Sequence, residues 1–335
     1  MKVTILMGVY NGEKYLQPSM ESMLAQSFSD FEFLIINDGS TDRSKEIIQG
    51  YTDSRIRYIE NEQNLGLSAT LNKGIELADG EYIARMDCDD ISLPQRLEKQ
   101  VAFLDQHPEV GIVGTWAQVL GSETVYKYPE KHQLLITKLL DNSMLCHPAV
   151  MMNKKLLNAH RLRYDTNYKY SQDYDLWARA QYCFELANIG EVLLHYREHA
   201  MQMKQTFSNF TKSEPNNTRL MLIQKFANID ASDPRLLYYR QVLDGSYQFN
   251  KDSFKNLNEF LHFLETKNED SQIYDLEYFQ QIVLNIWLRS IISIKQYNLE
   301  IYRIVKKSIF YKRQSFPVKA AFLIKCLILK IPKNV

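Results

Sequence analysis

The stretch Tyr82–Pro94, YIARMDCDDISLP, sets three carboxylates within four residues directly after a short apolar run. Tyr82 to Met86 reads as a buried strand. Asp87, Cys88, Asp89 and Asp90 follow at its end, and a helix is expected to begin near Pro94. Carboxylates this close repel one another, and the arrangement is costly unless a cation neutralises it. Oxygen ligands of this kind suit Mg2+ or Mn2+, which commonly take one or two carboxylates and complete their shell with substrate phosphates. The stretch therefore predicts a divalent-metal site for a phosphorylated substrate. The alternative is an acidic turn that caps the next helix through Asp90 or Ser92.

The chain before this stretch alternates apolar runs with helical patterns. Val3–Met7, Phe31–Ile36 and Ile56–Ile59 read as strands, and Tyr15–Gln26, Arg43–Tyr51 and Ser68–Leu77 as helices. Short connections between them predict an α/β fold with a mostly parallel sheet. Ligands bind such sheets at the carboxyl ends of the strands. Polar clusters follow strands one, two and four, at Tyr10-Asn11, Asp38-Gly39-Ser40 and Asp87 to Asp90, which places them on one rim. Helix capping alone does not predict that coincidence. Further on, Gln95–Gln106 reads as a helix, Val110–Val119 as a strand, and Cys146–Met152 as a strand with His147 at its mouth. An aromatic loop, Tyr164–Tyr170, leads into a helix opening at Ser171, and Ile189–Tyr196 is a further strand.

Charge and cysteine content narrow the function classes. Forty basic and forty acidic side chains cancel, so nothing global points to nucleic acid. Cys88, Cys146, Cys183 and Cys326 show no zinc or redox spacing, which fits a reducing cytosol. No signal-peptide pattern precedes the first strand, and no run of about 20 uncharged apolar residues exists, so a cytoplasmic location without a spanning helix is expected. From about Phe207 the pattern turns helical, a region suited to covering a site, binding a partner or forming a homo-oligomer. After Glu300 come nine lysines and arginines, Arg303 to Lys333, with no acid among them. Val318–Ile331 interleaves its lysines with Phe322, Ile324 and Leu327, as in basic amphipathic helices that lie on anionic membranes. A terminal helix packed on its own domain, its lysines solvated, explains the same pattern.

In order along the chain, VYNGEKYL, INDGSTD, NEQNLGLSATLNKGI, GEYIARMDCDD, HPAVM, QDYDLW and YREH resemble the motifs of family 2 glycosyltransferases. The resemblance spans about Val3 to Gln205. It implies the GT-A nucleotide-diphospho-sugar transferase fold, a mostly parallel sheet flanked by helices, with a C-terminal helical appendage. Residues 1–205 would be the catalytic domain, with a nucleotide-sugar half at 1–93 and an acceptor half at 94–205, and 206–335 the helical region. It further implies inverting transfer from a UDP-sugar to a glycan or lipid-linked saccharide in cell-surface polysaccharide synthesis, assisted by Mn2+ or Mg2+.

By that resemblance Val9, Tyr10, Asn11 and Glu13 hold the nucleoside and Asp38 accepts from the base, while Asn64, Gly66 and Asn72 wrap base and ribose. Lys73 or Arg85 would offset diphosphate charge. Asp87-Cys88-Asp89 matches the family's Asp-x-Asp, with Asp89 the direct metal ligand, Asp87 nearer the ribose or the ion, and Cys88 on the opposite face. Asp173 would be the base, with Asp175 secondary. His199 in YREH would reach metal or diphosphate, with Arg197 beside it, and His147, Gln172 and Trp177 would line the acceptor side. Gly8 stands where the family often has proline, which removes a rigid turn but no polar contact. Two rivals remain: an inactive nucleotide-sugar-binding partner subunit, and a nucleotidyltransferase, whose glycine- and lysine-rich phosphate loop Gly8–Gly12 does not reproduce.

Overall fold

The computed structural model describes residues 1–198 and 213–328. Strand β1 (Val3–Val9) is buried at all but one position, and β2 (Phe31–Asn37) at every position. Continuous apolar runs of this kind belong to strands covered on both faces. The covers are α1 (Leu16–Leu24), α2 (Ser44–Gln49) and α3 (Leu67–Leu77), which connect β1, β2, β3 (Ile56–Glu60) and β4 (Tyr82–Asp87). β1 lies between β2 and β4, parallel to both, and β3 extends the parallel set beside β2. The register pairs Val9 with Asn37 and Gly8 with Asp87, so the polar clusters after β1, β2 and β4 begin at one level.

Beyond β4 the sheet is mixed. β5 (Ile91–Ser92), α4 (Arg96–Gln106), β6 (Val110–Val119), the short β7 (Val125–Tyr126), α5 (His132–Leu139), β8 (Met151–Asn153), α6 (Lys154–Ala159), α7 (Gln172–Ala180) and β9 (Glu185–Tyr196) follow in turn. The strand order is β3-β2-β1-β4-β8-β6-β9-β5, with β8 antiparallel to β4 and β6, and β9 parallel to β6. Two buried polar side chains of α4 brace this half, and Arg96 ties it to β4. Arg96 donates to the carbonyls of Arg85 at 2.6 Å and Val150 at 3.3 Å, and Gln100 donates to that of Ala149 at 2.8 Å. Burial pulls the Arg96 pKa down to about 10. Helix α4 starts at Arg96, so Asp90 and Ser92 are not its caps; Ser92 lies in β5 and its N–H donates to Ser22 Oγ.

The chain divides into two compact units, Met1–Thr218 and Arg219–Val335, so the first unit extends past the boundary expected at 205. Helix α8 (Ser213–Ala227) opens in the first unit and continues into the second. The second unit is helical: α9 (Pro234–Asp244), α10 (Lys251–Ser271), α11 (Leu276–Ile292), α12 (Leu299–Val305), α13 (Ile309–Arg313) and α14 (Phe316–Ile328). Asn250 and Ser253 form a reciprocal capping box at the start of α10. Leu257, Phe260, Leu261 and Leu264 of α10 and Phe279, Val283 and Trp287 of α11 are buried in this unit. Buried Glu265 accepts two bonds from Arg313 Nη1, at 2.7 and 2.9 Å. Among the described residues, no helix is long and apolar enough to cross a membrane.

Candidate active site

The loops after β1, β2, β3 and β4 gather at one rim of the sheet. The loop after β1 is fastened to the loop after β2 by its own polar groups. Asn11, at φ +52°, accepts from Thr41 N–H at 2.8 Å, Gly12 N–H donates to Ser44 Oγ, and Glu13 accepts from Arg43 N–H at 3.0 Å. Asn11 and Glu13 thus use these side-chain oxygens to fasten the loop after β1 to the loop after β2. Tyr10 is half-exposed and turns its ring outward, while Val9 is buried and its carbonyl accepts from Asp38 N–H at 2.7 Å.

The buried Asp38 carboxylate organises the third loop, residues 61–66. It accepts from Asn61 Nδ2 at 2.8 Å, Leu65 N–H at 2.9 Å and Gly66 N–H at 3.0 Å. A carboxylate has about four acceptor positions, and these bonds fill three of them. Gly39, at φ +70°, lets Asn64 approach: a Cβ there would lie 2.7 Å from the Gln63 carbonyl carbon and 2.8 Å from the Asn64 nitrogen. Gly39→Ala is expected to cost at least about 1–2 kcal/mol in left-handed strain alone, lowering Tm by roughly 2–8 °C. Thermal unfolding checks this, and an unchanged Tm would contradict the close approach. Two expected nucleotide contacts are spent elsewhere. Lys73 donates to Asn61 Oδ1 at 2.6 Å, which engages it with the Asp38 cluster and not with a diphosphate. Asn72 exchanges two bonds with the backbone of Tyr164, at 2.8 and 2.9 Å, and braces that loop.

At the end of β4, Asp87, Asp89 and Asp90 bring carboxylate oxygens within 4.8 Å of one another. Asp90 is fully buried; Oδ1 accepts from Arg197 N–H at 2.7 Å and Oδ2 has no protein partner. Burial pushes the Asp90 carboxyl well above its ordinary range, and Asp87 and Asp89 push the same way. Asp87 is raised too, chiefly by burial, against the pull of Arg85. A cation relieves such crowding, and an all-oxygen set with an orphaned buried oxygen fits Mg2+ or Mn2+. Arg85 is buried and its Nη2 is ion-paired to Asp87, while Nε and Nη1 have no protein partner. Cys88 packs against the core beneath Gly12, its Sγ 3.0 Å from where a Cβ on Gly12 would sit; it is a packing residue, not a nucleotide contact. Arg197 donates to the Asp89 carbonyl at 2.7 Å and lies over the Tyr15 ring at 4.4 Å. It is the cationic side chain the sequence undervalued.

Asp173 is the second residue of α7 and half-buried, and its charge acts on Asp87 and on Tyr164. Its charge is the least of the causes that raise the Asp87 carboxyl, after burial and Asp89. Asp175 is bound within its own helix by Arg179, at 2.7 and 2.9 Å. His147 Nε2 meets the Tyr164 hydroxyl at 2.9 Å, and its ring stands edge-on to Trp177 at 6.0 Å. Trp177 is fully buried and belongs to the core, so it does not line an acceptor site. Gln172 is buried, with Oε1 lacking a protein partner. His199 lies outside the described residues.

A parallel half with an acidic rim at its fourth strand, followed by a mixed half, is the arrangement of the GT-A fold. The fold matches that of a Staphylococcus aureus TarS fragment, residues 1–349, solved with UDP-GlcNAc, at TM-score 0.61 and 16% identity over 88% of this chain and 89% of that one. The glycosyl transferase family 2 profile matches residues 4–161. An uncharacterised glycosyltransferase of Methanocaldococcus jannaschii is 38% identical over 58% of this chain and 70% of its own length. The O-antigen biosynthesis glycosyltransferase WbnJ of Escherichia coli is 34% identical over 59% and 80%. The chain belongs to glycosyltransferase family 2.

Proposed function

We propose that the protein moves a sugar from a UDP-sugar to a saccharide acceptor in surface polysaccharide assembly, with inversion at the anomeric carbon. The observation that carries this reading is the charge arrangement. The Asp87, Asp89 and Asp90 carboxylates lie together on the rim that also holds the Asp38 loop, and Asp173, in the first turn of α7, is near enough for its charge to be felt at Asp87. The base N–H of uracil suits the remaining acceptor position of Asp38, and the exposed Tyr10 ring would stack on the base. Asp87 and Asp89 would hold Mn2+ or Mg2+, which supplies Lewis-acid stabilisation of the leaving diphosphate. The acceptor hydroxyl gives its proton to Asp173 as its oxygen bonds to the anomeric carbon and the bond to the diphosphate breaks. The O-antigen relative supports a glycan acceptor. The test is UDP release from UDP-Glc, UDP-Gal, UDP-GlcNAc and UDP-GalNAc with Mn2+, with and without chelator. Chelator-sensitive turnover of one donor is expected, and no turnover with no UDP binding would reject the reading.

A lipid-linked acceptor fits a peripheral membrane contact through α14. Phe316, Ile324 and Leu327 are exposed there beside exposed Lys325, with Lys312 and Arg313 just before; Lys330 and Lys333 lie outside the described residues. The triple change Lys312→Glu, Lys319→Glu, Lys325→Glu removes about 1 kcal/mol of attraction per basic residue. It is expected to lower partition onto phosphatidylglycerol vesicles by roughly a hundredfold. Equal sedimentation with phosphatidylglycerol and phosphatidylcholine vesicles would refute the contact.

A further inference from the structure

We propose that Glu214 is a positioning residue for sugar transfer, acting through the backbone that presents Asp173. The inference rests on the reading of Asp173 as the base. Glu214 stands in the first turn of α8, and its carboxylate receives three consecutive backbone N–H groups. Lys169 donates at 3.0 Å, Tyr170 at 2.9 Å and Ser171 at 3.0 Å, and Ser171 Oγ adds a bond at 3.3 Å. Successive N–H groups converging on one anion form a nest, and bonds to a charged acceptor are about twice as strong as neutral ones.

Ser171 occupies the cap position of α7, yet its side chain makes no capping bond within that helix. A carboxylate more than forty residues away in sequence does the fastening. Asp173 follows two residues later, so the first turn of α7 inherits the direction that Glu214 imposes. The same loop is pinned upstream by Ser68 Oγ to the Tyr168 carbonyl at 3.3 Å, and by the Asn72 pair with Tyr164. Backbone from 164 to 171 is therefore held from the donor-side helix α3 at one end and by Glu214 at the other. Between them these contacts set where the base stands relative to the acidic rim. Displacing a reacting group by about 1 Å costs on the order of a hundredfold in rate.

Glu214→Gln and Glu214→Asp in the full chain test this. The amide keeps the shape but loses the charge and one acceptor oxygen, and Asp keeps the charge but is one methylene short. Hydrogen exchange at the 169–171 amides is expected to quicken about tenfold in Glu214→Gln. Turnover of whichever of the four UDP-sugars the wild type uses should fall by roughly a hundredfold in kcat, with donor KM little changed and partial recovery in Glu214→Asp. In an Asp173→Asn background, adding Glu214→Gln should lower kcat no further, because the two residues act as one unit. The proposal is overturned by unchanged exchange, by faster exchange at undiminished kcat, by a full additional loss in the Asp173→Asn background, or by failure of both variants to fold. Wild-type turnover in Asp173→Asn alone would instead reject the base assignment.

Discussion

Asp89→Asn is expected to lower turnover by roughly a thousandfold, the several kcal/mol that a Lewis-acidic cation contributes. Asp89 shares its corner with Asp87 and buried Asp90, whose Oδ2 has no protein partner. Burial chiefly raises Asp87 and Asp90, and removing one charge relieves the repulsion that adds to it. The variant should therefore fold at least as stably as the wild type while losing activity. A drop in Tm alongside the loss would point to a structural role for the trio. Assays at graded Mn2+ separate weakened metal affinity, which excess metal rescues, from a defect in chemistry, which it does not.

Asp173→Asn is expected to cost about 10²–10⁴-fold in kcat, the range for loss of a general base, while UDP affinity stays near the wild-type value. Asparagine keeps the side chain's size and its place in the first turn of α7, so only proton acceptance is lost. The contrast between the variants is the sharper test. Asp89→Asn should weaken UDP binding and Asp173→Asn should not, since the role proposed for Asp173 lies with the acceptor hydroxyl. Equal loss of UDP binding in both would merge the two roles and undo the division between donor and acceptor halves.

Most of the first unit was legible because its strands are continuous apolar runs and its polar clusters end them. The register that levels Val9, Asn37 and Asp87 is a consequence of parallel pairing that the pattern implied. The helix-cap alternative for Asp90 falls because Asp90 is buried among carboxylates and α4 begins only at Arg96. What the sequence hid were choices of partner across long separations. Nothing local marks Asn72 for the Tyr164 backbone or Glu214 for residues 169–171. Trp177 reads equally as a sugar platform or a core residue until packing buries it. The mixed half of the sheet was also obscure, since β8 is only three residues long and pairs antiparallel to β4.

The most direct measurement is calorimetric titration of UDP into the wild-type protein, once with Mn2+ and once with excess chelator. An acidic rim that holds a diphosphate through a cation predicts clear binding with Mn2+ and at least about a hundredfold weaker binding without it. Equal affinity in both conditions would contradict the metal-held donor site, and no binding in either would contradict the uridine site itself.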